Sequence, residues 1–343
     1  MRYRSTLTKG LAVLAMAQLC AMFQPMPGQT AHSYVHDRDV YARLDTNGRS
    51  ARQQDTPIWS GRALVGYDYN RTAAPIVYTI DQDGNREDIA LNIPEAGLVM
   101  LHSIAGGADG AIAVSGSAFS SNAQGTTFIL WISPNRKTQI VTRVSPYAPE
   151  KIVIAGDGTI WTVGTQYDDA VTKSVANNQL RHFDTSGRQL ASFLVHPKSP
   201  SRKGMPPVTY SRLVASADRI GWFTNGNQYI EFSLDGTELN RFEGPADLVE
   251  HPEYLQGVGL SADNELAIGV VTKPGMKYFA LDRQTRTWSA ILPIGKRTTM
   301  LGGFDGNTLI TLPSFEDSGV IRRHIRSDGS SAQQPQTATA NGK

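Results

Sequence analysis

Short apolar runs alternate with polar turns along most of this chain, a pattern typical of β-strands joined by hairpins. One turn, rich in Asp, Ser, Asn and Gly, recurs six times between two such runs. Its leading polar residues are Asp81, Ser133, Asp184, Asp235, Asp282 and Ser327, so that the successive steps are 52, 51, 51, 47 and 45 residues. A step that changes this slowly indicates copies of one strand-rich unit.

A period of this length, with strands on both sides of each turn, predicts an all-β fold: a six-bladed β-propeller of four-stranded antiparallel blades. A blade cannot bury both of its faces alone, so neighbouring blades must stack and close into a ring. Seven blades is the alternative, because residues 43–48 resemble another copy of the turn. Only 36 residues separate Asp45 from Asp81, however, which is too short for a whole blade.

A second turn lies upstream of each of the last five copies. Its Asp residues are Asp109, Asp157, Asp218, Asp263 and Asp305. Asp-Gly and Asp-Asn pairs suit tight hairpins, because these residues tolerate positive φ and Asp can accept hydrogen bonds from its own turn. Each blade is therefore predicted to contain strands a, b, c and d, with tight a–b and c–d turns. Blades 2 to 5 are predicted at 98–145, 149–196, 208–244 and 254–293.

The first and sixth blades are less regular. Blade 1 is predicted to take its strand a from residues 53–59, its strand b from 62–67 and its c–d hairpin from 76–91. Blade 6 begins near residue 298 and has no fourth strand, because the chain turns polar after Ile325. The alternating N-terminal segment 39–44 is predicted to supply that outer strand and close the ring, since an open ring would expose sheet edges.

Both ends of the chain differ from the repeats. Arg2, Arg4 and Lys9 precede a short apolar stretch, which predicts a signal peptide over residues 1–31, cleaved after Ala21 or Ala31. A periplasmic or secreted protein with no further transmembrane segment is expected. Lipid attachment at Cys20 is disfavoured because Leu19 is not small. Residues 32–329 are expected to form the propeller domain, and the polar residues 330–343 a disordered tail.

Composition excludes some classes of function. The formal net charge is only +2, so no basic surface is expected for nucleic acid. Cys20 is the one cysteine, and its removal with the signal would leave no disulfide and no thiol chemistry. No motif for a metal or cofactor stands out, and a monomer without a cofactor is expected.

The a–b and c–d turns lie at one end of the blades, and the b–c and d–a segments at the other. The longer segments are all of the second kind, and they are expected to be irregular loops that gather on one face. These segments are 115–126, 164–179, 197–210, 243–253 and 272–277. Tyr167 and Asp168, at a polar loop tip, are candidate binding residues.

Alignment of the blades on the a–b Asp reveals a polar position seven residues before it. The residues there are His102, Glu150, Ser211, Gln256 and Thr298. Two residues later stand Ile104, Ile152, Leu213, Val258 and Met300. Polar strand ends that meet water explain this pattern, but the same pattern also predicts a ring of hydrogen-bonding side chains at one mouth of the central channel. We call His102, Glu150, Ser211, Gln256 and Thr298 the collar.

The periodic Asp turns make the chain resemble the exported six-bladed propellers of the NHL and gluconolactonase-like type. That resemblance implies a divalent cation at the channel mouth, held by carboxylate and amide groups. The collar offers only Glu150 and Gln256 for such a site, and hard cations usually bind more carboxylates. No metal is therefore expected.

Three functions fit the sequence. The first is an exported module that binds a protein, peptide or glycan on the face that carries the longer segments, using the collar, Tyr167 and Asp168. The alternative is a hydrolase or lyase at the channel mouth, with Glu150 and His102 as its titratable groups. A structural part of an envelope complex is the third, and the fold alone does not choose among them.

Overall fold

Strands account for nearly all regular structure in the computed structural model, which describes residues 33–41, 57–67, 74–122, 125–170, 173–198, 211–246, 254–272, 275–291, 299–313 and 320–327. Among these residues, no helix is long and apolar enough to span a membrane.

The first twelve strands are β1 (Tyr34–Tyr41), β2 (Ile58–Trp59), β3 (Ala63–Tyr67), β4 (Ile76–Asp81), β5 (Arg86–Ala90), β6 (Leu98–Gly106), β7 (Ile112–Phe119), β8 (Gly125–Ile132), β9 (Gln139–Arg143), β10 (Tyr147–Ile154), β11 (Ile160–Tyr167) and β12 (Ser174–Phe183). The others are β13 (Gln189–Leu194), β14 (Arg212–Ala215), β15 (Arg219–Phe223), β16 (Gln228–Ser233), β17 (Glu238–Glu243), β18 (Tyr254–Leu260), β19 (Leu266–Thr272), β20 (Gly275–Asp282), β21 (Thr287–Ile291), β22 (Thr299–Asp305), β23 (Thr308–Pro313) and β24 (Val320–Arg326).

These strands form six four-stranded antiparallel sheets, which confirms the six-bladed β-propeller. Blades 1 to 5 take their strands in chain order: β2–β5, β6–β9, β10–β13, β14–β17 and β18–β21. Blade 6 has the order β1-β24-β23-β22, so its outer strand comes from the N-terminal part of the chain.

The recurring Asp residues stabilise the turns by accepting hydrogen bonds from their own backbone. In the c–d turn of blade 1, Asp81 Oδ1 accepts from the amides of Asp83 and Asn85, both at 2.9 Å. Burial alone would raise the pKa of Asp81, but hydrogen bonds from Asn85 and the turn amides lower it. Asp184 caps the corresponding turn of blade 3 in the same way. The carboxylates that recur in the sequence are therefore part of the scaffold.

Apolar side chains fill the spaces between adjacent blades. Trp161 of blade 3 and Trp222 of blade 4 are fully buried in one shared cluster, together with Leu180 and Ile230. The Trp161 ring also stacks on His182 of its own blade, with centroids 4.2 Å apart. These two tryptophans therefore pack between blades.

The N-terminal strand closes the ring. β1 pairs with β24 from Tyr34 opposite Arg326 to Tyr41 opposite Val320. Val40 is buried in a cluster that contains Trp59 of blade 1 and Ile321 of blade 6. The Tyr34 hydroxyl donates to Glu265 of blade 5 at 3.0 Å. The predicted closing strand is confirmed, although it begins earlier than the predicted 39–44, and residues 42–44 lie outside the described residues.

Closure by β1 predicts unequal effects of two matched substitutions on that strand. Val40 is 8% exposed and Val35 is 46% exposed. Val40→Ala removes two methyl groups from a packed interface and is expected to lower the free energy of unfolding by about 2 kcal/mol. Val35→Ala is expected to change it by less than about 0.5 kcal/mol. Urea denaturation measures both values, and equal effects would contradict closure by this strand.

His324 lies at the same junction. It is 2% exposed, its Nε2 lies 2.9 Å from the Thr311 hydroxyl oxygen, and its ring centroid is 5.7 Å from that of His36 on β1. Burial, together with the nearby His36 and Arg322, lowers the pKa of His324 from 6.5 to about 4. Between pH 6.5 and about 4, the imidazole is therefore mostly neutral in the folded protein and mostly protonated in the unfolded chain.

This shift predicts a stability loss under mild acid. The unfolded state binds more protons than the folded state between pH 6.5 and about 4, so the contribution of His324 is complete above pH 6.5 and falls through that window. The decrease is at most on the order of 3 kcal/mol. His324→Gln retains a hydrogen-bonding group beside Thr311 but does not titrate. Urea midpoints from pH 7.5 to 4 should fall more steeply for the wild type than for His324→Gln; parallel curves would refute this role.

Candidate functional site

The b–c hairpins and d–a connections lie together at one end of the blades, which we call the long-hairpin face. The expectation that segments 115–126, 164–179 and 272–277 are irregular loops is wrong. β7 continues to Phe119 and β8 begins at Gly125, while β11 continues to Tyr167 and β12 begins at Ser174. β19 and β20 likewise leave only residues 273–274 between them. Their backbones pair with each other although their side chains are polar, so extended hairpins replace the expected loops.

Two other expected loops lie mostly outside the described residues. Only 197–198 of segment 197–210, and 243–246 of segment 243–253, are described.

The hairpins of blades 2 and 3 reach furthest. β7 and β8 have eight residues each, and β11 and β12 have eight and ten. The equivalent strands of blades 1 and 4 have only five and six. The long-hairpin face is therefore elaborated on blades 2 and 3, and also on blade 5, where β19 and β20 have seven and eight residues.

Three collar residues occupy the same irregularity in strand a. The pairing register skips His102 between Leu101 and Ser103, Glu150 between Pro149 and Lys151, and Gln256 between Leu255 and Gly257. Each residue therefore lies at a β-bulge, where the extra residue bends the strand and redirects its side chain. All three residues are half-buried.

The remaining collar residues differ. Ser211 is completely buried just before β14. Thr298 lies outside the described residues. The apolar residues two positions after the collar are all buried in the blade interfaces. The described part of the collar thus has three half-buried polar side chains, from blades 2, 3 and 5.

His102 lies where blades 2 and 3 meet and contacts one strand of each blade. Its Nδ1 lies 3.2 Å from the Pro149 carbonyl oxygen of β10, and its Nε2 lies 3.1 Å from the Ser117 hydroxyl oxygen of β7. Glu150 is the residue that follows Pro149. The structure therefore places both titratable collar residues at the junction of blades 2 and 3.

Further polar contacts continue outward from His102 along this junction. Thr127 Oγ1 donates to the Tyr147 carbonyl oxygen at 2.5 Å and lies 3.0 Å from the Ser145 hydroxyl oxygen. The guanidinium carbon of Arg181 lies 4.0 Å above the Tyr147 ring. Burial raises the pKa of Tyr147 and lowers that of Arg181. The guanidinium donates to the side-chain oxygens of three glutamines: Gln166, Gln179 and Gln189.

Tyr167 and Asp168 stand at the tip of the β11–β12 hairpin, and both are half-buried. The Tyr167 amide donates to the Pro146 carbonyl oxygen at 3.0 Å. The Asp168 amide donates to the Lys173 carbonyl oxygen at 2.9 Å, and its carboxylate accepts from the Lys173 amide at 3.2 Å. Both residues thus help to hold the hairpin tip.

A groove of about 440 Å³ lies beside the tip of the β7–β8 hairpin, on the long-hairpin face. Ala96, Ala118 and Phe119 supply its apolar surface, Ser120 and Thr126 add hydroxyl groups, and the exposed Glu95 and Arg143 also line it. Arg143 donates to the Pro94 carbonyl oxygen at 2.7 Å, and within the described part of the chain neither charge has an ion-pair partner. A Cβ on Gly125 would lie 2.9 Å from the Phe119 ring, so a larger residue there would displace the ring.

The collar does not fit the divalent-cation site that the gluconolactonase resemblance implies. Glu150 is the one carboxylate among its described residues, and His102 directs both ring nitrogens to protein atoms. Across the described ranges, no group of three or more His, Cys, Asp and Glu side chains could hold an ion.

Sequence reasoning identified His102 but missed Ser117, Thr127 and Arg181. The one available signal was a polar stretch, Ser115 and Ser117, within a strand b that is otherwise small and apolar. The groove residues Glu95, Phe119 and Arg143 are far apart in sequence and share no pattern that would have grouped them.

Comparisons with known proteins identify the architecture. No protein-family model and no curated protein matches the chain. Among solved structures, it is similar to a candidate exported protein of Bacteroides fragilis, with a TM-score of 0.51, 10% identity, and coverage of 86% of this chain and 99% of the other.

Two further structures are similar at lower scores. A catalytically inactive variant of virginiamycin B lyase from Staphylococcus aureus, determined with quinupristin, has a TM-score of 0.46 and 12% identity, and covers 84% of this chain and 99% of its own. The Pan2 WD40 domain of Neurospora crassa has a TM-score of 0.48 and 7% identity, over 86% and 96%. At these identities the likeness concerns the fold alone, and the chain is a six-bladed β-propeller.

Proposed function

We propose that this protein is an exported, monomeric propeller that binds a protein or peptide partner on its long-hairpin face, without a cofactor. The groove beside the tip of the β7–β8 hairpin is the observation that carries this proposal. Export rests on the basic and apolar pattern of residues 1–31.

The chemistry of the groove favours a polypeptide. Its lining combines apolar side chains with hydroxyl groups, a carboxylate and a guanidinium, and neither charge has an ion-pair partner in the described structure. A peptide segment offers apolar side chains for Ala96, Ala118 and Phe119 and charged groups of both signs for Glu95 and Arg143. Arg143 is held by the Pro94 carbonyl group, so binding would immobilise little additional side-chain freedom.

The scaffold around the groove also suits partner binding. The extended hairpin of blade 2 forms part of its lining, and Val175 near the tip of the blade 3 hairpin is 63% exposed. Loops and hairpins on a rigid ring commonly carry binding residues. The half-buried collar residues His102, Glu150 and Gln256, with Tyr167 and Asp168, would extend the contact surface.

A matched pair of charge reversals in blade 2 tests this proposal. Arg143→Glu alters the groove, whereas Lys137→Glu makes the same charge change in the c–d turn, on the opposite face. Proteins captured from envelope extract by the wild type are identified by mass spectrometry, purified, and titrated against both variants. Arg143→Glu is expected to raise Kd roughly tenfold or more, and Lys137→Glu to change it less than about twofold.

Two outcomes would oppose the proposal. Equal weakening by both variants would show a general charge effect, and retention of every partner by Arg143→Glu would remove the groove from the interface. Specific binding in a glycan array, with no captured protein, would show that the ligand is a glycan and not a polypeptide.

A further inference from the structure

The contacts of His102 have the arrangement of a nucleophile, a base and an orienting group. Ser117 Oγ lies 3.1 Å from Nε2 of the imidazole. On the other side of the ring, Nδ1 lies 3.2 Å from the carbonyl oxygen of Pro149. A hydroxyl within hydrogen-bonding reach of a base, with the base oriented by a third group, is how enzymes activate serine.

The partners of His102 determine its tautomer. A backbone carbonyl oxygen can only accept, so the hydrogen of the neutral imidazole lies on Nδ1. Nε2 then presents its lone pair, and the Ser117 hydroxyl donates to it. This is the protonation state in which histidine can remove a proton from serine.

The placement of the pair distinguishes it from ordinary core packing. Both side chains are only half-buried, in the half of blade 2 that adjoins the long-hairpin face. His102 lies at a β-bulge, a feature often found beside active sites because it redirects a side chain.

The other blades show that the bulge itself does not require this chemistry. Blades 3 and 5 have the same bulge, at Glu150 and Gln256. The positions that correspond to Ser117 are Thr165 and Val271. Among these three described bulges, only that of blade 2 has a histidine with a serine at the corresponding position of strand b.

We propose that Ser117 is a nucleophile that His102 activates for acyl transfer from carboxylic esters, an activity separate from partner binding. Ser117 Oγ attacks the ester carbonyl carbon while its proton passes to His102 Nε2. The tetrahedral intermediate then expels the alcohol, which takes that proton and leaves an acyl-serine. Water attacks the acyl-serine, His102 accepts the water proton and returns it to Ser117 Oγ, and the carboxylic acid departs.

The orienting group sets the expected rate. The Pro149 carbonyl group fixes the ring and the tautomer, but it carries no full charge to stabilise the imidazolium that forms. Turnover is therefore expected to be slow, and activated reagents are the most sensitive probes. A fluorophosphonate probe reacts in one step: the Ser117 Oγ–P bond forms, the P–F bond breaks, fluoride leaves, and His102 takes the serine proton.

The first experiment incubates the purified full chain with a fluorophosphonate probe and locates the adduct by peptide mass spectrometry. The adduct is expected on Ser117 of the wild type. Ser117→Ala should abolish it. Ser115→Ala is the matched control: Ser115 lies on the same side of β7, is fully buried, and its hydroxyl makes no hydrogen bond to the described residues. That variant should be labelled like the wild type.

The second experiment tests the base. In His102→Gln, the amide oxygen can still accept from the Ser117 hydroxyl but cannot take up its proton. The labelling rate is expected to fall on the order of 100-fold or more, whereas the thermal unfolding midpoint should change little. Release of p-nitrophenolate from p-nitrophenyl acetate should fall in parallel.

Site mapping on the wild type is independent of how the variants fold. Absence of an adduct at Ser117, an adduct on another serine alone, or labelling of Ser117 that His102→Gln leaves unchanged would each overturn the proposal. Equal loss in Ser115→Ala would attribute the effect to packing of β7 and would also overturn it.

Discussion

A blade of this protein has two apolar faces, and each can be buried only by a neighbouring blade. The buried clusters accordingly mix residues of adjacent blades, as Trp161 and Trp222 do for blades 3 and 4. Every blade therefore needs a neighbour on each side, and β1 completes the last of these interfaces. Its Val40 packs against Trp59 of blade 1, and its Tyr34 donates to Glu265 of blade 5. The stability of the whole ring therefore depends on a strand supplied by the polar N-terminal segment.

Two buried glutamates add specificity to these interfaces. Glu231 of blade 4 has no exposed surface and accepts from Arg283 of blade 5 at 2.6 Å and from Asn240 at 3.1 Å. Glu265 of blade 5 accepts from Tyr34 and pairs with Arg326 of blade 6. A buried ion pair contributes little net stability, but a buried charge without its partner is strongly unfavourable. We infer that these pairs disfavour incorrect stacking of blades more than they strengthen the correct one.

The sequence predicted what is local and repeated. Asp turns such as Asp81 and Asp184 identified the hairpins because a carboxylate that caps its own turn leaves a fixed spacing. The sequence did not predict structure that depends on strand pairing. Segment 115–126 lacks apolar alternation, yet its backbone forms a hairpin. His102 was found by alignment of the blades, whereas Ser117 was not, because their proximity depends on the register of β6 against β7, which places Met100 opposite Ser117.

The repeats also separate scaffold from chemistry. Residues shared by the blades, such as the turn aspartates, are fully used in holding the turns and leave little for a ligand. Blades 2, 3 and 5 share the backbone bulge in strand a, but the residue at the bulge differs: His102, Glu150 and Gln256, respectively. The groove likewise belongs to one blade and its d–a connection. A ring of equal blades has no preferred site. Function must therefore come from positions at which one blade differs from the others, and His102, Ser117 and the groove are such positions in blade 2.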